Sequence, residues 1–169
     1  PTVEAIPDQE KEVNTPIDTI TIKGEDNSGK PVTNEVSGLP EGVTYDPETS
    51  TISGSPTEVG EYPVTVVTTD VNGNKTETTF TITVTDTTAP NQPTVNQVTS
   101  EDKTITGKAE PGSTVTVTFP DGKTTSSTTD ADGNYVINIP SSEDLKGGET
   151  LPVTSTDKAG NTSEQIGRA

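Results

Sequence analysis

One segment limits the fold more than any other. Residues 76–85 read Thr-Glu-Thr-Thr-Phe-Thr-Ile-Thr-Val-Thr. Phe80, Ile82 and Val84 fall on one face at a period of two, with threonine on the other, which is the pattern of a half-buried β-strand. The alternation returns in 114–119, where Val115, Val117 and Phe119 oppose threonine, and in Tyr135, Ile137 and Ile139. Between such runs lie turn formers: Asp70-Val71-Asn72-Gly73-Asn74, Pro120-Asp121-Gly122-Lys123, Asp130-Ala131-Asp132-Gly133-Asn134 and Asp157-Lys158-Ala159-Gly160-Asn161. Asp-Gly and Asn-Gly accept the positive φ that twisted hairpins need. Turns every eight to twelve residues without a helical period predict an all-β chain of sandwich type. Further strands are expected at 17–22, 32–36, 62–69, 104–108, 124–129, 151–156 and 162–166.

Composition decides what such strands can bury. Only 24% of the 169 residues are hydrophobic and 3% aromatic, with no Trp, Met, Cys or His. The core must therefore be thin and built from Val and Ile, helped by threonine methyl groups; about a fifth of the chain is Thr. β-Branched residues favour pleated strands. Low hydrophobicity with a net charge of -17 is also the signature of disorder. The maintained alternation argues for folding.

The acid excess, 27 Asp and Glu against 10 Lys and Arg, leaves no basic stripe for nucleic acid or for an anionic membrane. Without cysteine there are no disulfides to stiffen a secreted domain. No leader, membrane-spanning run or initiating methionine is present, so the chain reads as a piece of a longer one. The stretch Thr85-Asp86-Thr87-Thr88-Ala89-Pro90-Asn91-Gln92-Pro93 reads as a short, semi-stiff connector. Pro93-Thr94-Val95 after it echoes Pro1-Thr2-Val3. Two unlike modules are expected, 1–87 and 88–169.

Leu39-Pro40-Glu41-Gly42-Val43-Thr44-Tyr45-Asp46-Pro47, continuing to Thr51-Ile52-Ser53-Gly54-Ser55-Pro56, is two strand fragments punctuated by Pro and Gly turns. With Asp26-Asn27-Ser28-Gly29, Val59-Gly60 and 69–75, it resembles the cadherin-like (dystroglycan-type) Ig module of Gram-positive surface adhesins. The second half is similar to a bacterial Ig-like repeat of cell-wall-anchored and biofilm-associated proteins. Gly107, Glu110-Pro111-Gly112-Ser113-Thr114-Val115-Thr116-Val117, 130–135 and 156–161 carry that likeness. The resemblance implies two tandem Ig-like/cadherin-like β-sandwiches displayed outside the cell. It implies a stalk role and, for the cadherin-like type, bound calcium. Neighbouring modules, a host receptor or like modules on other cells would be the partners. The competing expectation is a module that binds a host protein, a glycan or a neighbouring cell directly. An unpaired edge strand or an exposed apolar patch would favour that alternative.

Calcium needs six to eight hard oxygen ligands. The candidates are Asp26 and Asn27 in one loop, Asp70, Asn72 and Asn74 in a turn, and Asp86 at the module exit; loops at one end of a sandwich can converge. The family pattern carries over best to Asp26 and Asp70. The same residues are equally good turn formers that cap their own backbone. Asp130-Ala131-Asp132-Gly133-Asn134 has the opening of an EF-hand loop but neither its helices nor its glutamate at position twelve, so a tight turn is expected there. Enzymatic readings lack their parts. Without His or Cys no Ser-His or Cys-His couple can form, and so few aromatics build no deep sugar cleft. An internal Lys–Asn isopeptide bond would show as the loss of one ammonia in intact mass.

Overall fold

Phe80, Ile82 and Val84 do share one buried face, on a strand spanning Lys75–Thr85. The computed structural model describes residues 1–143, 145–146 and 149–168, and among these the regular elements are β-strands. The chain separates into two units, Pro1–Asp86 and Thr87–Ala169.

In the first unit the strands are β1 (Thr2–Val3), β2 (Gln9–Glu12), β3 (Ile20–Thr21), β4 (Gly24–Glu25) and β5 (Thr33–Ser37). They continue as β6 (Val43–Asp46), β7 (Thr51–Gly54), β8 (Gly60–Thr69) and β9 (Lys75–Thr85). One sheet has the order β2-β9-β8-β5, another the order β3-β7-β6, and β1 pairs with β4. β8 and β9 form the long antiparallel hairpin, in register from Gly60↔Val84 to Thr69↔Lys75. Val64, Val66, Phe80, Ile82 and Val84 from the first sheet meet Ile20, Val43 and Ile52 from the second, with Ile17 and Ile22 closing the same core.

Two features of this unit depart from the expected strands. Residues 17–22 bury Ile17, Ile20 and Ile22, yet only Ile20–Thr21 is strand. Ile17 and Ile20 are three apart, so burying both breaks a period-two ladder; Ile17 N–H instead reaches Gly54 O and Ile22 N–H reaches Ser50 O. β2, of sequence Gln-Glu-Lys-Glu, has no apolar signal at all. It exists because its backbone pairs in parallel with β9, Gln9↔Ile82 to Glu12↔Thr85.

The Leu39–Pro56 stretch becomes the β6–β7 pair with its flanking turns, Val43↔Gly54 to Asp46↔Thr51. Ser55 N–H donates to Gly42 O and Val43 N–H to Pro40 O. Gly54 and Pro56 carbonyls accept Ile17 and Asn14 N–H from the incoming chain. The stretch is thus a backbone junction that ties 14–17 to the sheet, and Gly42 and Gly54 sit where main chains touch.

The second unit holds β10 (Thr104–Lys108), β11 (Thr114–Thr118), β12 (Thr124–Thr128), β13 (Asn134–Asn138), β14 (Leu151–Thr156) and β15 (Ile166–Arg168). β12-β11-β14-β15 form one sheet and β10-β13 the other. Thr94 and Asn96 add main-chain bonds to Lys108 and Thr106 on the free side of β10, so Pro93-Thr94-Val95 does begin a strand-like edge. Val115, Val117, Leu151 and Val153 face Ile105, Tyr135 and Ile137, with Phe119 at the margin. The strand expected at 162–166 is a single bridge, Thr156↔Thr162, followed by β15. Ser163 is the reason. It turns inward, donates its N–H to Ser155 O and accepts Ser155 N–H on its hydroxyl.

Tyr135 anchors the first segment of this unit. It is 2% exposed, and its hydroxyl donates to Thr94 O at 2.7 Å. Burial pushes its pKa up to about 12 from an ordinary 10. A raised folded pKa contributes stability that is present below pH 10 and is lost as pH rises through about 12. Tyr135→Phe should cost about 1 kcal/mol at neutral pH. It should also flatten the loss of second-unit stability between pH 10 and 12, measured by thermal melts across that range. A variant melting with the same alkaline slope as the parent would contradict the assignment.

Candidate functional site

The acidic turns share one design. In 70–74, Asp70 N–H donates to Asn74 O and Gly73 N–H to Asp70 O, at 2.9 and 3.1 Å. Residues 130–134 and 157–161 repeat both bonds at closely similar lengths. The glycine takes φ of 87, 81 and 90° in the three loops, the left-handed corner of a three-residue hairpin loop. Asp70 Oδ1 accepts the N–H of Asn72 and of Asn74, and Oδ2 accepts the Asn74 side-chain amide, all at 2.9 Å. Asp157 does the same with Ala159 and Asn161. Asp130 Oδ1 takes Asp132 and Asn134 N–H. The EF-hand-like pentapeptide is therefore a tight turn.

These bonds set the charges. The Asn74 amide, with the Asn74 and Asn72 N–H groups, holds Asp70 below the usual carboxylate value against an upward push from burial. For Asp157 burial is the largest influence and pushes upward, but the Asn161 amide and the turn N–H groups outweigh it. The Ser28 hydroxyl and N–H hold Asp26 low in the same way. A depressed folded pKa gives stability that is complete above about 3.8 and is lost as pH falls below it. Both units should therefore lose thermal stability on acidification below pH 4.

Among the candidate ligands, Asp26 and Asp70 are brought together. Asp26 feels the Asp70 charge. Thr76 Oγ1 donates to Pro1 O, and Pro1 lies beside Asp26 and Asn27. Asn27 lies in the Asp26 loop, and Asn72 and Asn74 in the Asp70 turn. Asp86 is not with them. It follows β9, whose eleven residues separate it from the Asp70 turn by about 35 Å of extended strand. The spacing of 76–85 already implied that separation. Pro1 and Ser28 were not among the candidates; the Asp-x-Ser spacing of an Asx turn was the available signal for Ser28.

As a calcium shell, this end supplies two carboxylates and the amide oxygens of three asparagines. Among the described residues no three His, Cys, Asp or Glu side chains gather around one point. Asp70 spends both oxygens on its own turn, as Asp157 does. The fit is partial: backbone carbonyls or water would have to complete six to eight ligands. An open surface depression at this end is lined by Pro1, Thr2, Glu25, Asp26 and Asn27, and a second one beside it by Thr2, Glu4, Lys23 and Glu25.

The two-sheet architecture with its repeated hairpin turns defines an immunoglobulin-like class. Residues 1–85 match the family described as "Putative Ig domain" and residues 89–167 the "Bacterial Ig domain" family. The chain belongs to the Ig domain family matched over residues 1–85, and its second half is similar to the bacterial Ig domain family. A segment of 46 residues, 27% of this chain, is 56% identical to the "Serine-rich adhesin for platelets" of Staphylococcus aureus strains MRSA252 and USA300. The aligned part spans only 2–3% of those proteins' length. The solved "Biofilm associated protein - BSP domain" aligns over 93% of this chain and 28% of its own, at 23% identity and a TM-score of 0.39. Protocadherin gammaB7 EC3-6 aligns over 99% of this chain and 46% of its own, at 13% identity and a TM-score of 0.45.

Proposed function

We propose that the chain is a pair of non-catalytic spacer modules from a bacterial cell-surface adhesin, supporting adhesion or biofilm formation. The observation that carries this reading is that both halves match Ig domain families, the second of them bacterial, while one segment is 56% identical to a staphylococcal adhesin. The sequence chemistry agrees: the chain lacks His and Cys and spends its few aromatics on packing. The location is extracellular, with wall anchorage supplied by other parts of the protein. The partners are neighbouring modules, and beyond them a host surface or like molecules.

Calcium in the first module is part of this proposal. Asp26 and Asp70 would hold the ion, and Asn27, Asn72 and Asn74 stand beside them. The ion would neutralise two carboxylates that feel each other's charge and so fix the loops that carry them. Binding to the folded state alone raises stability by mass action. In 5 mM Ca²⁺ the first-unit melting temperature should stand about 5 °C or more above its value in EDTA, given the millimolar to submillimolar affinities of extracellular modules. Calorimetry on the whole chain reads this. Asp157 supplies the control, since Asp157→Ala breaks an equal turn in the second unit, outside the proposed site. Asp70→Ala should abolish the calcium response, and Asp157→Ala should leave it intact. No calcium response in the parent would leave plain spacers.

A further inference from the structure

Residues 70–74, 130–134 and 157–161 fold into the same hairpin loop but differ at its third position. Asn72, Asp132 and Ala159 stand there, each followed by a glycine at positive φ. Asn72-Gly73 is the one Asn-Gly step in the sequence. An asparagine amide carbon lies within five-membered-ring reach of the next residue's main-chain nitrogen. A side chain on that next residue hinders the approach, and glycine has none. A Cβ built on Gly73 would meet nothing within 4 Å, and residues 71–75 are all exposed.

Other asparagines are held or hindered. Asn74 and Asn161 spend their side-chain amides on Asp70 and Asp157. Asn34 is bonded to Tyr45 and Thr68, and Asn96 donates to Thr106 Oγ1. Asn27 is exposed, but Ser28 after it carries a side chain and donates its N–H to Asp26 Oδ2. Asn72 donates its main-chain N–H to Asp70 Oδ1, while its side-chain amide bonds to none of the described residues. What restrains Asn72 is the turn itself. Gly73 N–H donates to Asp70 O at 3.1 Å, and Asp70 Oδ1 holds the N–H of both Asn72 and Asn74. The Gly73 nitrogen must leave Asp70 O before it can turn onto Asn72 Cγ. Exposed loop tips open at far lower cost than core strands, and Asp70 is the clasp that sets how often this one opens.

We propose that Asn72 is a self-modification site, at which the folded chain deamidates in water at a rate governed by the Asp70 turn. The Gly73 nitrogen gives its proton to solvent base and attacks Asn72 Cγ. The new C–N bond closes a succinimide ring, the bond from Cγ to the amide nitrogen breaks, and ammonia leaves. Water then opens the ring. Cleavage at Cγ gives aspartate on the original main chain. Cleavage at the main-chain carbonyl gives isoaspartate, whose main chain runs through Cβ and Cγ and is one methylene longer. The 130–134 loop shows that the aspartate product fits: Asp132 occupies that position, with Asp132 and Asn134 N–H on Asp130 Oδ1 at 3.0 and 2.8 Å. The isoaspartate product lengthens the chain between Asp70 and Asn74 and so releases the Asp70 cap. Either way, the turn that carries Asp70 gains a negative charge irreversibly as the protein ages. The inference goes beyond the spacer reading and does not depend on calcium, so its test is run in EDTA.

The whole chain is incubated at neutral pH and sampled by peptide mapping in a mass spectrometer, with enzymatic methylation to count isoaspartate. Asn72 should convert about tenfold faster than Asn27, because no side chain hinders Gly73, and both products should form. Asp70→Ala should accelerate conversion about threefold or more by freeing the loop tip. Asp157→Ala, which breaks an equal turn in the second unit, should leave the Asn72 rate unchanged. Melting curves with both transitions in place establish that the acceleration is local. Gly73→Ala keeps the amide but places a methyl on the attacking residue, so Asn72 should slow to the rate of Asn27 even if Asp70→Ala fails to fold. Conversion of Asn72 no faster than Asn27, undiminished conversion in Gly73→Ala, or equal rates in a folded Asp70→Ala and the parent would overturn the proposal.

Discussion

Gly54→Ala should lower first-unit stability by about 3–5 kcal/mol, combining a strained backbone with a main-chain overlap. Gly54 has φ of 129°, and a Cβ there would lie 2.1 Å from Gly42 O and 3.0 Å from Val43 Cα. Neither neighbour is a flexible side chain, so β6 and β7 would have to part at Val43↔Gly54. That parting also threatens the bond from Ile17 N–H to Gly54 O. Gly29→Ala is the comparison. It shares a positive φ, 74°, but has nothing within 4 Å of the added methyl. It should cost about 1 kcal/mol, the penalty of the left-handed conformation alone. Calorimetry should show the first-unit transition collapsing in Gly54→Ala while the second-unit transition stays in place. Equal costs at the two glycines would mean that main-chain contact at Gly54 has been overstated.

Phe80→Ala should destabilise the same unit by about 3–5 kcal/mol. The chain has two phenylalanines, and each lies in a different core, Phe80 and Phe119. Around Phe80 the core is Val and Ile, whose short branched side chains reach little way into a void. A cavity left there relaxes poorly, which puts the cost at the upper part of that range. Phe80→Leu, which keeps most of the volume, should cost well under half as much. Urea unfolding followed by far-ultraviolet circular dichroism measures both. A cost below 1.5 kcal/mol for Phe80→Ala would show that the core closes over the gap.

Strands with a regular period of two were legible from the residues. Thr104–Lys108 and Leu151–Thr156 keep their expected bounds, and Thr76–Thr85 gains only Lys75. β2 was not legible, because Gln-Glu-Lys-Glu buries little and its existence depends on a partner 73 residues away. The last strand shifted because a serine, Ser163, was drawn inside by hydrogen bonds that no apolar pattern records. At the acidic loops the residues allowed two readings, ligand or turn cap. The structure shows the turn-capping bonds of Asp70 in full, and these occur equally at Asp157. It also shows that Asp26 and Asp70 share an end while Asp86 does not.

By itself, the alternation of Thr with Phe80, Ile82 and Val84 determined an all-β chain, because burial on one face of a strand requires that period and no helix tolerates it. The glycines and aspartates determined where the chain turns, since left-handed corners and self-capping are local chemistry. What only tertiary structure decided is which strands lie at the edges and which loops meet. β12 is as readable a strand as β11, yet one ends its sheet and the other is enclosed by β12 and β14. That difference is fixed by long-range pairing, in which each backbone bond joins residues far apart in the chain, so no window of sequence contains it.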